Sequence, residues 1–126
     1  MMNHMFKVGI LGAGWIARKM ARTLASLNDF CVYAIASRSM DKAVAFAEEW
    51  NVPKAYGNYE DMVNDSEVDL VYVATPHSHH FQHAMLALNA GKNVLVEKAF
   101  TANAAQAEHL TATAREKGLY LAEAIW

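Results

Sequence analysis

Short apolar, β-branched runs alternate along this chain with longer stretches whose apolar positions return every three or four residues. The first run, Phe6 to Leu11, ends at Gly12, after which Ile16, Met20, Thr23, Leu24 and Leu27 recur at helical spacing. A second run, Val32 to Ala36, precedes Ser39, which is placed to cap a helix carrying Ala43, Val44, Phe46, Ala47 and Trp50, with Pro53 closing that region. A weak strand near Lys54 to Tyr56 and a short helix from Asn58 through Val63 follow. Asp69 to Thr75 is the clearest buried strand, and Phe81, Ala84, Met85 and Leu88 predict a helix that Gly91 ends. Asn93 to Val96 predicts another strand. Asn103 and Gln106 have capping-box spacing for a helix ending near Gly118, and Leu119 to Ala122 begins a last strand.

Strands that are apolar on both faces and joined through helices imply a parallel sheet covered on both sides, with right-handed crossovers. The expected fold is α/β: a doubly wound parallel sheet of about six strands with helices on both faces. One domain over residues 1–126 is expected, with no internal repeat, low-complexity segment or linker.

Composition narrows the function. Apolar residues make up 54% and charged residues 19%, which argues against a disordered chain. Lysine and arginine total 11 against 13 aspartates and glutamates, so a net charge of −2 offers no basic footprint for nucleic acid or an anionic membrane. The single cysteine, Cys31, excludes an intramolecular disulfide and a cysteine-built zinc site, and at a strand start it reads as a small core residue. No apolar run approaches the roughly 20 residues of a membrane span, and the first residues lack a secretory stretch, so a cytoplasmic soluble protein is expected.

Gly12-Ala13-Gly14-Trp15-Ile16-Ala17 follows the first strand and opens the first helix. This is a G-x-G-x-x-A turn in the context that dinucleotide binding requires, and it makes the expected fold Rossmann-type. Gly12 permits the tight turn, Gly14 leaves the backbone open to a pyrophosphate, and Ala17 lets the helix pack closely on the sheet. Amides at the helix start then favour phosphate, with Trp15 and Ile16 beside it, although Trp15 and Trp50 also read as packing groups. The second strand ends Ala36-Ser37-Arg38-Ser39, with no acid at its tip; Asp41 comes later, inside the predicted helix. A carboxylate there would hold an NAD ribose, whereas Arg38 can grip a 2′-phosphate, with hydroxyls from Ser37 and Ser39, so NADP is expected over the alternative, NAD.

Thr75-Pro76-His77-Ser78-His79-His80 leaves the central strand at its C-terminal end, where ligands of open α/β sheets sit. Four histidines, His77, His79, His80 and His83, fall within seven residues. His79 and His83 have metal-pair spacing, but no cysteine or third ligand accompanies them, so no metal is expected. The next strand ends Val96-Glu97-Lys98-Ala99. Partial desolvation would make Lys98 a usable proton carrier, and Glu97 could orient it or contact a nicotinamide ribose.

The run of G-A-G-W-I-A, A-S-R-S, A-T-P-H-S-H-H and A-G-K-N-V-L-V-E-K resembles the Gfo/Idh/MocA family (glucose–fructose oxidoreductase, inositol dehydrogenase, rhizopine catabolism) over nearly the whole chain. The closing Leu121-Ala122-Glu123-Ala124-Ile125-Trp126 is similar to its dihydrodiol and xylose dehydrogenase branch, which uses NADP. The resemblance implies hydride transfer between a nicotinamide and a sugar, polyol or diol carbon. It implies Lys98 as a catalytic substrate ligand and proton relay, and Thr75, Pro76 and His80 as cofactor-lining residues. Ala99 stands where the family has proline, which leaves the lysine's backbone less restrained. A second domain with most substrate contacts, a further catalytic histidine and the surface of a homo-oligomer is expected but absent from these residues. The chain is therefore expected to bind cofactor with little or no turnover, and to expose an apolar patch near Leu121, Ile125 and Trp126. A free-standing nucleotide-sensing module is the alternative, set apart by its having no use for Glu97-Lys98; a methyltransferase fits less well.

Overall fold

The computed structural model describes residues 5–98 and 103–124. Six strands form one all-parallel sheet in the order β3-β2-β1-β4-β5-β6. They are β1 (Phe6–Leu11), β2 (Phe30–Ala36), β3 (Lys54–Tyr56), β4 (Leu70–Val73), β5 (Asn93–Glu97) and β6 (Leu121–Ala124). The helices are α1 (Trp15–Ala25), α2 (Met40–Trp50), α3 (Tyr59–Val63), α4 (His80–Asn89) and α5 (Ala104–Lys117), with a 3₁₀ turn at His77–His79. This is the strand order of a doubly wound sheet, and it places the reversal of winding at β1.

Strand periodicity divides the core into two layers. Leu11, Val71, Val73, Val94 and Val96 face Met62, Ala84, Leu88 and Leu110 of α3, α4 and α5. Val8, Ile10, Ile35 and Tyr72 face Ala17, Met20, Leu24 and Phe46 of α1 and α2. Gly9 lets the first layer close: a Cβ there would stand 2.4 Å from Met62 Sδ. Two helices cannot cover six strands. On the α1 side an apolar trough of about 610 Å³ lies over Tyr72, Leu95, Ala122 and Ala124, rimmed by Phe6, Leu27 and Tyr120.

Local capping follows the sequence. Asn58 Oδ1 accepts from Asp61 N at 2.8 Å, Asn103 Oδ1 accepts from Gln106 N at 2.9 Å, and Ser39 caps α2. Gly118 ends α5 in the left-handed region at φ +67°.

Four expectations shift. Leu27 lies beyond α1, exposed, because Ser26 ends the helix. Val44 is exposed on α2. The last strand is Leu121–Ala124, two residues later than its apolar start at Leu119. Cys31 is half-buried near the start of β2, where burial raises its thiol pKa. Of the expected patch, Leu121 is partly buried against the α5 layer and Ile125 and Trp126 lie outside the described residues; among the described residues the trough is an open apolar surface. Among the described residues no helix is long and apolar enough to cross a membrane.

Candidate coenzyme groove

Parallel strands bring the loops after β1, β2 and β4 to one edge of the sheet, and backbone bonds fasten them together. Gly12 N donates to Ala36 O at 2.8 Å, and Ala74 N donates to Leu11 O at 2.9 Å. Gly12 sits at φ +100°, and a Cβ on it would lie 2.9 Å from Ala74 O. Both the dihedral and the close approach therefore require glycine. Gly14 differs. It is the N-cap of α1, with ordinary φ of −85° and no side chain to cap the helix amides. A Cβ at Gly14 would meet nothing within 4 Å, so the space before the helix start is open.

That space is part of a groove of about 790 Å³. Its lining brings together Gly12, Gly14, Trp15, Ile16, Ser37, Arg38, Thr75 and Pro76 from the predicted set. Trp15, which also read as a packing group, is 73% exposed at its rim. Trp50 packs, with its ring 6.5 Å from that of Phe46. Ser37 is buried and its Oγ accepts from Ser39 N at 3.1 Å, which shapes the tip of β2 and leaves Arg38 exposed above it. Arg18 is outside the lining: its Nε donates to Glu49 Oε1 at 2.9 Å, tying α1 to α2, and its Nη1 donates to Ala13 O at 3.3 Å, bracing the glycine turn. Among the described residues the lining cations are Arg38 and Lys42, and none of the described lining residues is a carboxylate. Sequence reasoning missed Lys42 and Tyr59. Lys42 lies one turn past the Ser39 cap, and that position was its only signal. Tyr59 begins α3, which only the topology brings to the groove.

His80, Glu97 and Lys98 lie outside that lining. His80 is 2% exposed and its Nε2 lies 2.8 Å from Thr75 O, so it supports the Thr75-Pro76 loop from below. Glu97 is buried at the end of β5, where its carboxylate accepts from the Tyr72 hydroxyl. Lys98 is exposed at the same sheet edge, so the desolvation expected for it is not supplied by the described residues. Ala99 lies outside them. Among the described residues no three potential metal ligands converge; the His79 and His83 rings stack 5.6 Å apart.

His83 is half-buried behind the groove. Its Nδ1 is 2.7 Å from Thr75 Oγ1, and the Tyr59 ring meets it edge-on at 4.6 Å. Burial first, then the neighbouring His79 and His80, lowers its pKa from 6.5 to about 4, so the ring is neutral near pH 7.

A glycine turn between strand and helix, at the winding reversal of a parallel sheet, defines a dinucleotide-binding domain. The model of an oxidoreductase family with an NAD-binding Rossmann fold matches residues 6–124, and the chain belongs to that family, Gfo/Idh/MocA. It is 43% identical over 120 residues to mouse (Mus musculus) trans-1,2-dihydrobenzene-1,2-diol dehydrogenase, covering 94% of this chain and 36% of that protein. It is 44% identical over 135 residues to the NADP(+) D-xylose 1-dehydrogenase of Hypocrea jecorina, covering 98% of this chain and 34% of that protein. The structure of KijD10, a 3-ketoreductase from Actinomadura kijaniata in complex with TDP-benzene and NADP, superposes with a TM-score of 0.91 at 39% identity, over 95% of this chain and 38% of that one. The chain thus spans about a third of the length of these relatives.

Proposed function

We propose that this chain is the coenzyme-binding domain of an oxidoreductase that moves a hydride between a nicotinamide dinucleotide, NADP in preference to NAD, and a carbon of a sugar, polyol or diol. One observation carries the reading: open space before Gly14 and two cations, Arg38 and Lys42, line one groove whose described lining residues include no carboxylate. The residues fit the group. The α1 amides at Gly14 and Trp15 receive the pyrophosphate. Arg38 and Lys42 take the 2′-phosphate, Arg38 as a fork and Lys42 as a point charge. An acid at the β2 tip would repel that phosphate, and the sequence there is Ser37-Arg38-Ser39.

Bound coenzyme supplies the hydride acceptor or donor. Thr75 and Pro76 wall the groove on the far side, and His80 holds their loop. Lys98, at the edge where β5 ends, is assigned the substrate hydroxyl and its proton. Glu97, held by Tyr72, steadies the backbone beneath it. The names of the relatives, a diol and a xylose dehydrogenase, support the substrate class. A cytoplasmic setting, a homo-oligomer of the whole enzyme, and little turnover by these 126 residues alone go with this reading.

Titration of the chain with NADPH, NADH and buffer, followed by protein fluorescence, tests it, because Trp15 stands at the groove rim. NADPH should quench emission and bind at least about tenfold more tightly than NADH, the worth of one charge-assisted contact. No binding of either, or preference for NADH, overturns the reading. Steady-state oxidation of D-xylose or a dihydrodiol by this chain alone would overturn the expectation of little turnover.

A further inference from the structure

Of the four clustered histidines, His83 touches two lining residues of the groove and is not itself part of the lining. Its Nδ1 meets Thr75 Oγ1 at 2.7 Å, and its ring takes the edge of Tyr59 at 4.6 Å between centroids. Thr75 and Tyr59 come from different parts of the chain, the loop after β4 and the start of α3, and no strand pairing joins them. We propose that His83 is a positioning residue for coenzyme binding: its imidazole fixes the Thr75 hydroxyl and backs the Tyr59 ring, setting two walls of the groove at once. This rests on the coenzyme reading given above.

The protonation state of the ring sets the direction of this hydrogen bond. A neutral Nδ1 can accept the Thr75 hydroxyl proton, which fixes the rotamer of a buried side chain. A protonated ring can only donate, so the hydroxyl must turn and the Thr75 wall changes what it presents to a ligand. The groups around His83 favour the neutral form. His79 on the 3₁₀ turn, His80 on α4 and Arg38 at the β2 tip disfavour a further positive charge, while Glu60 on α3 favours one. Burial acts in the same direction as the first three. The His79 ring runs nearly parallel to that of His83, offset, with centroids 5.6 Å apart.

Three forms of the chain test the proposal: wild type, His83→Leu and His83→Asn. Asparagine places an amide oxygen near the Nδ1 position without a titrating ring. Dissociation constants for NADP+ at pH 7.5 should rise about fivefold to tenfold in H83L, the worth of one buried hydrogen bond, and recover to within about twofold of wild type in H83N. The imidazole ¹⁵N signals of His83 in the wild-type chain give a readout that needs no variant: they should report a neutral ring and shift when NADP+ is added. Equal affinity in a folded H83L, failure of H83N to recover, or ¹⁵N signals indifferent to NADP+ each overturn the proposal. If wild type binds neither NADP+ nor NADPH, the coenzyme reading fails first and the proposal falls with it.

Discussion

The two sides of the groove are made differently. On the β1–α1 side the backbone is the site: Gly12 supplies a left-handed turn, Gly14 leaves open space, and side chains are mostly kept out of the way. On the β4–α4 side, side chains are the site: Thr75, His80 and His83 hold one another in a hydrogen-bonded cluster, with Tyr59 packed across it. A backbone site tolerates no added atoms but asks little of its neighbours. A side-chain site depends on protonation state and on elements distant in sequence. The first kind is written as a motif; the second has to be folded to be seen.

The largest effect should come from Gly12→Ala. The new Cβ combines a positive φ with a 2.9 Å contact to Ala74 O, so a loss of about 2–4 kcal/mol is expected, read as a lower thermal midpoint. A midpoint within a degree or so of wild type would mean that the three strand ends are not locked as described. Gly14→Val probes the opposite case. With nothing within 4 Å to strike, the fold should be little affected, while NADPH affinity falls at least about tenfold because the side chain fills the phosphate space. Retained affinity would move the pyrophosphate away from this turn. Arg38→Ala should weaken NADPH roughly tenfold and leave NADH nearly unchanged, as isothermal titration would show.

The smallest effect concerns acid. The folded-state pKa of His83, about 4, lies below its unfolded value of 6.5. Between those values the unfolded chain binds the proton and the folded chain does not, so stability falls as pH drops from 6.5 toward 4. Allowing for the half-exposure of the ring, its share is on the order of 1–2 kcal/mol. The wild-type urea midpoint should fall relative to that of His83→Asn, which has no titrating ring, as pH drops from 7 toward 4. Parallel curves would remove His83 as their cause.

How far the sequence could be read follows from the same contrast. Four strands, β1, β2, β4 and β5, were legible because buried parallel strands are continuous apolar runs, as in Val71-Tyr72-Val73 and Val94-Leu95-Val96, whereas β3, Lys54-Ala55-Tyr56, at the sheet edge, showed only weakly. β6 was displaced because Leu119 and Tyr120 extend its apolar run before pairing begins at Leu121. Leu27 kept helical spacing past the true end of α1, where chain direction had already changed at Ser26. The glycine turn and Arg38 were legible because each is local. Lys42 and Tyr59 were not, since their role depends on where α2 and α3 start relative to a groove built by other strands. Four histidines in seven residues were visible as a cluster, but their separate fates, one beneath a loop, one behind a wall, two toward the surface, depend on helix phase and depth.

The lacing of Gly12 to Ala36, and of Ala74 to Leu11, bears on the thermodynamics of capture. A floor stitched from main-chain atoms is finished when the polypeptide is, so a dinucleotide meets a rigid seat and little ordering of loops is left to oppose it. Association should therefore be fast, close to a simple encounter rate, and its heat-capacity change should be small and set by the ligand's own contact area.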